Sequence, residues 1–163
     1  ARSRPGSTVY GMSGDGSFMM LPMDIYSAVL TGTDVTIVVC DNGGYNVIER
    51  LQIGHGAASF RTMLAEDDAP DPVLVDFAAM AAAMGADARH VVGLDELEAV
   101  LRETKGTAGV HVVVTAVARH QWSEGDSFWE VGVPEASVRP QVDAARDDVR
   151  AGKRNQRAIW RTP

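Results

Sequence analysis

The sequence lacks the features that would carry several common functions. It has one cysteine, Cys40, so an intramolecular disulfide is excluded. Cys40 lies in the apolar run 35–40, the usual setting of a buried thiol, and a reducing, cytoplasmic compartment is expected. No stretch approaches the roughly 18 consecutive apolar residues of a membrane span, and residues 1–6 lead into no signal-like apolar core. Neither a membrane partner nor export is expected. His55, His90, His111 and His120 are dispersed, without zinc-ligand spacing among themselves or with Cys40. No internal repeat is present, although the alanines at 78, 79, 81, 82 and 83 approach low complexity.

Basic charge is also scarce. Lys and Arg number 15 against 22 Asp and Glu, for a net charge of −7. The imbalance is uneven: residues 1–149 carry −12, whereas Arg150, Lys153, Arg154, Arg157 and Arg161 give the end of the chain +5. An acidic body excludes an extended nucleic-acid face, which needs cations against phosphates. The expected division is a domain over 1–149 and a basic tail over 150–163, with the tail a solvated helix end and terminus rather than a docking arm.

What is present is enough for one compact domain: 163 residues, 45% hydrophobic and 23% charged. A β-prone run at 8–12 stops at Ser13-Gly14-Asp15-Gly16-Ser17, which predicts a strand entering a tight glycine turn. Residues 20–30 repeat apolar positions at helical spacing, with Pro22 tolerable in the first turn and Gly32 able to end the helix. Residues 35–40 are apolar on both alternating faces, as in a strand covered by helices on each side of a parallel sheet. A helix at 46–52 precedes a long loop through residue 72, where Glu66-Asp67-Asp68 reads as solvated surface that could close over a substrate. Then follow an alanine-rich helix at 75–84 ending at Gly85, a strand at 89–92, a helix at 94–104 and a buried strand at 109–117. The expected fold is α/β, a doubly wound parallel sheet with helices on both faces, followed by an aromatic extension at 122–129 and a helix around 142–152.

In such sheets ligands bind beyond the carboxyl ends of the strands. Two glycine-rich segments fall there: Asp15 after the first strand and Asn42 after the second. Asp15 offers an anionic oxygen, Asn42 an amide oxygen, and Gly43 and Gly44 let a backbone carbonyl turn inward. A few hard oxygens suit Mg²⁺, which keeps the rest of its shell for phosphate and water. The N–H groups of Gly16 and Ser17 would face a phosphate at the start of the next helix. A nicotinamide-type reading would put Asp41 on a ribose hydroxyl, but Met19 holds the third glycine position.

These residues resemble the diphosphate-binding domain of thiamine-diphosphate-dependent enzymes, marked by Gly-Asp-Gly, a spacer and a pair of asparagines. Here the motif is Gly14-Asp15-Gly16-Ser17 and Asp41-Asn42, with Asn42 lying 27 positions after Asp15. Asp41 stands where the family has its first asparagine, which puts a secondary hydrogen bond in doubt. The resemblance implies that Asp15, Asn42 and the Gly44 carbonyl bind Mg²⁺, that Gly14, Gly16 and Ser17 hold the diphosphate, and that Tyr45 and Asn46 line the cofactor. Segments 18–20, 46–52 and 127–135 narrow the resemblance to members that hydrolyse a carbon–carbon bond of a cyclic 1,2-diketone in inositol breakdown. Acetolactate-synthase-like or 2-keto-acid decarboxylase members are the alternative within the family, and an inert pairing or regulatory domain is the alternative outside catalysis.

The family's activating glutamate belongs to a separate pyrimidine-binding domain, and only 13 residues precede Gly14. The chain is therefore expected to work with that domain or subunit, in a homo-oligomer, and to be inactive alone. No acid or base is assigned: His55 reads as a loop histidine more readily than as a substrate-facing group.

Overall fold

The computed structural model describes residues 1, 3, 6–64, 74–121 and 132–156. They fall into two compact units, Ala1–Asn46 with Met63–Gln121, and Val47–Thr62 with Trp122–Pro163.

The first unit holds a four-stranded sheet, β1 (Tyr10–Gly14), β2 (Val35–Asp41), β3 (Asp87–Val91) and β4 (Val110–Ala116), in the order β1-β2-β4-β3 with every pair parallel. Parallel neighbours need crossovers, and these are right-handed almost without exception. The chain steps one way across the sheet from β1 to β2 and the other way from β3 to β4, so the two sets of connecting helices must lie on opposite faces. They do. Val39, Val112 and Val114 pack with Phe18 of α1 (Asp15–Met20), Ile25 of α2 (Met23–Leu30) and Phe77, Ala78 and Ala81 of α4 (Phe77–Ala83). On the other face Val91 and Val113 meet Val100 and Leu97 of α5 (Gly93–Thr104). The expected doubly wound α/β sheet is the observed one.

Three local expectations are corrected. Residues 13–17 form no separate turn: β1 runs to Gly14, and Asp15 opens α1 directly. The helix expected over 20–30 begins only at Met23, as α2, and Met20 instead ends α1. Pro22 cannot supply the N–H that a continuous helix needs and stands as the N-cap of α2, and Leu21 before it leaves helical geometry (φ −138°, ψ 54°). At the other boundaries the glycine signals held: Gly32 and Gly85 have φ of +59° and +93°. The alanine-rich helix starts at Phe77 rather than 75, because Asp76 caps α4 by accepting from the Ala79 N–H at 2.9 Å.

The second unit contains residues 47–54 of α3 (Asn46–Gly54) and α6 (Pro140–Asn155), which begins against the loop that follows α3. A Cβ on Gly56 would sit 2.3 Å from the Gln141 carbonyl carbon, and Arg139 Nε donates to the Gly56 carbonyl at 3.1 Å. The basic cluster starts inside α6 at Arg150. The aromatic extension at 122–129, the acidic run at 66–68, Arg157 and Arg161 lie outside the described residues.

The sheet's amino-terminal edge carries an ionic network. His111 Nδ1 lies 3.1 Å from Asp87 Oδ2, and Arg89 bridges Asp87 at 3.2 Å and Glu103 at 3.0 Å. The His111 hydrogen bond, then Arg89, hold the Asp87 carboxyl below its ordinary value of 3.8. A depressed acid stabilises the fold above its unfolded pKa, and that contribution disappears as pH falls through the folded value. Asp87→Asn is therefore expected to cost about 0.5 kcal/mol at pH 7, after screening of a half-exposed pair, and almost nothing at pH 2. Urea unfolding at the two pH values measures the difference; an equal loss at both contradicts it.

Candidate metal and cofactor site

β1 and β2 end side by side, since Gly14 pairs with Cys40. The next residues, Asp15 at the start of α1 and Asp41 at the end of β2, thus stand at adjacent strand ends, at the carboxyl edge where parallel sheets bind ligands. Asp15 is 1% exposed although it carries a carboxylate. A buried charge requires partners. Gly44 N–H donates to Asp15 Oδ2 at 2.5 Å. Burial, the largest influence, and the nearby Asp41 carboxylate push Asp15 above the usual carboxylate range, against the Gly16 and Gly44 N–H groups that favour its charged form.

The loop opposite is shaped by glycine. Gly43 and Gly44 have φ of +89° and +140°, conformations that side chains resist. Asp41 Oδ1 accepts from the Gly43 N–H at 3.0 Å, closing an Asx turn. Leu64 N–H donates to the Gly43 carbonyl at 2.8 Å and holds the loop from outside.

The terminal amide of Asn42 lies 3.2 Å from Asp15 Oδ1 and 3.1 Å from the Gly44 carbonyl oxygen. With its nitrogen inward, it donates to both. With its oxygen inward, three oxygens face one another with no hydrogen between them, an arrangement that a cation alone makes favourable. Neighbouring ligands of an octahedral Mg²⁺ at 2.0–2.1 Å stand about 3.0 Å apart, so the donor set fits a small hard cation. Among the described residues no three His, Cys, Asp or Glu side chains cluster as a metal site. An ion here would depend on one carboxylate and neutral oxygens.

The other predicted positions gather around this point. Gly14 is the N-cap of α1, with Gly16 and Ser17 in its first turn. A Cβ on Gly16 would meet the Tyr45 ring at 2.8 Å, so Tyr45 packs against the glycine. Asn46 is 2% exposed and donates from Nδ2 to the Arg119 carbonyl at 2.7 Å, tying the start of α3 to the segment after β4. Arg119 had not been singled out. Its guanidinium lies beside Gly43, and the available signal was position alone, just past β4 at the same sheet edge. The half-buried Cys40 thiol is raised by burial and by the Asp15 charge.

Three histidines have structural partners elsewhere: His55 Nδ1 meets the Leu51 carbonyl at 2.8 Å, His90 meets Asp76 at 2.8 Å, and His111 meets Asp87.

A parallel sheet with an acidic, glycine-built oxygen cluster between two strand ends defines a cofactor-binding α/β module, and comparison with known proteins specifies which. Residues 1–115 match the family described as thiamine pyrophosphate enzyme, C-terminal TPP binding domain. The chain belongs to that family. It is 31% identical over 150 residues to 3D-(3,5/4)-trihydroxycyclohexane-1,2-dione hydrolase of Bacillus cereus, covering 88% of this chain and 23% of that protein. It is 32% identical over 145 residues to the Bacillus subtilis protein of the same name, covering 88% and 22%. Among solved structures, benzoylformate decarboxylase from Polynucleobacter necessarius superimposes with a TM-score of 0.63 at 27% identity, over 73% of this chain and 21% of that one. The chain thus spans less than a quarter of the length of these relatives.

Proposed function

We propose that this chain is the part of a thiamine-diphosphate-dependent carbon–carbon hydrolase that holds the cofactor's diphosphate through Mg²⁺, and that the enzyme opens a cyclic 1,2-diketone in inositol breakdown. The observation that carries the cation site is the Asn42 terminal amide standing 3.2 Å from Asp15 Oδ1 and 3.1 Å from the Gly44 carbonyl oxygen. In this reading the Asp15 and Asn42 side chains and the Gly44 carbonyl hold the ion. The first turn of α1, with the Gly14 cap and the Gly16 and Ser17 N–H groups, receives the diphosphate. Tyr45 and Asn46 border the cofactor. Thiamine diphosphate, when bound, supplies the nucleophilic carbon for carbonyl chemistry. This chain's contribution is position: a fixed diphosphate fixes the reacting end relative to a substrate.

The substrate class rests on the dione hydrolases to which 88% of the chain is similar. A pyrimidine-binding domain or subunit completes the site in this reading, supported by the chain's correspondence to a fraction of each relative; a cytoplasmic homo-oligomer belongs to the same proposal. The test offers the assembled enzyme trihydroxycyclohexane-1,2-dione and, separately, a 2-keto acid, with and without Mg²⁺ and thiamine diphosphate. Cofactor-dependent addition of water to the diketone is the expected result. Release of CO₂ from the keto acid alone would move the assignment to a decarboxylase, and loss of all cofactor binding would leave a pairing domain.

A further inference from the structure

The cation site has a second carboxylate that the three-oxygen set does not use. The Gly14–Cys40 register brings Asp41 out of β2 beside Asp15. The Asx turn to the Gly43 N–H at 3.0 Å fixes the Asp41 carboxylate at the same glycine loop whose next residue turns its carbonyl toward the Asn42 amide. That turn does not require a charge, since asparagine accepts the same bond. The charge is therefore separable from the turn.

Resting on the cation site proposed above, we infer that the Asp41 charge strengthens the hold on the cation. Two neighbouring carboxylates, one of them 1% exposed, attract a divalent ion more strongly than one does. The same charge repels a diphosphate, with the ion present as without it, so what Asp41 contributes is metal affinity and not cofactor affinity. Asp41 touches neither ligand in this account and acts through its field.

The test uses the complete enzyme with Mn²⁺ as the probe, free Mn²⁺ being read by electron paramagnetic resonance, and with thiamine diphosphate titrated calorimetrically in the presence and absence of the metal. Asp41→Asn keeps the Asx turn and removes the charge, whereas Asp41→Ala removes both. The expected result for Asp41→Asn is about tenfold weaker Mn²⁺ binding, the order of magnitude that 1.4 kcal/mol of lost attraction gives. Its cofactor affinity should not fall, either without metal or at saturating metal, because the lost charge repelled the diphosphate in both. Mn²⁺ affinity equal to wild type in Asp41→Asn, with a loss confined to Asp41→Ala, would show a turn former alone and overturn the inference. If wild type and Asp15→Asn take up Mn²⁺ identically, the cation site itself is wrong, and the inference falls with it.

Discussion

Asp15→Asn is expected to abolish Mg²⁺-dependent binding of thiamine diphosphate in the assembled enzyme, by about a hundredfold or more, while leaving the fold intact. The substitution keeps the size of the side chain and one oxygen but removes the charge on which the neutral Asn42 and Gly44 oxygens depend for company. Stability should move the other way. Asp15 is buried and raised above the ordinary value of 3.8, so its ionisation opposes folding. Asp15's contribution to wild-type stability declines as pH rises from near its ordinary value through the folded pKa, and the variant lacks that decline. Calorimetric titration with cofactor, paired with thermal unfolding at pH 7, checks both halves. A variant that binds normally contradicts the site, and one that has lost binding only because it is unfolded contradicts the stability argument.

Gly44→Ala is expected to damage fold and site together. At φ +140° an alanine is strained by about 1–3 kcal/mol, and relief requires the peptide to rotate. Rotation would withdraw the N–H that Asp15 accepts at 2.5 Å and the carbonyl that faces the Asn42 amide at 3.1 Å. Cofactor affinity should fall by at least about tenfold, beyond what destabilisation alone produces. Gly32→Ala is the control, for it also has positive φ, +59°, with nothing within 4 Å of its Cβ, and stands at the end of α2. It should cost about 1 kcal/mol and leave binding unchanged. Equal binding by the two variants would remove the Gly44 carbonyl from the account.

The legible part of this protein is the part where local chemistry and tertiary structure ask for the same residue. Apolar strands such as 35–40 announce a sheet buried on both faces, and Gly32 and Gly85 mark chain reversals that only positive φ satisfies. Asp15 and Asn42 were legible as a pair because polar groups at two strand ends serve no core. The strand order and the register were not legible, and they put Asp41 beside Asp15: nothing local in Asp41-Asn42-Gly43-Gly44 says which strand lies next door. Asn46 illustrates the limit differently. It is buried at the start of α3 and bonded to a carbonyl 73 residues away, a contact no local pattern encodes. The break between α1 and α2 was legible in principle, because Leu21-Pro22 favours an extended residue before proline, but the helical period across 20–30 outweighed it.

In the proposed site one divalent ion is held jointly by Asp15, Asn42 and Gly44. The direct measurement is a crystal structure of the enzyme grown with Mn²⁺ and thiamine diphosphate, with anomalous scattering recorded at the manganese edge. A single peak about 2.2 Å from Asp15 Oδ1, the Asn42 side-chain oxygen and the Gly44 carbonyl oxygen, with the Asn42 amide turned oxygen-inward, is the expected result. A cofactor bound with its manganese elsewhere, or with the Asn42 nitrogen still directed at Asp15, contradicts it.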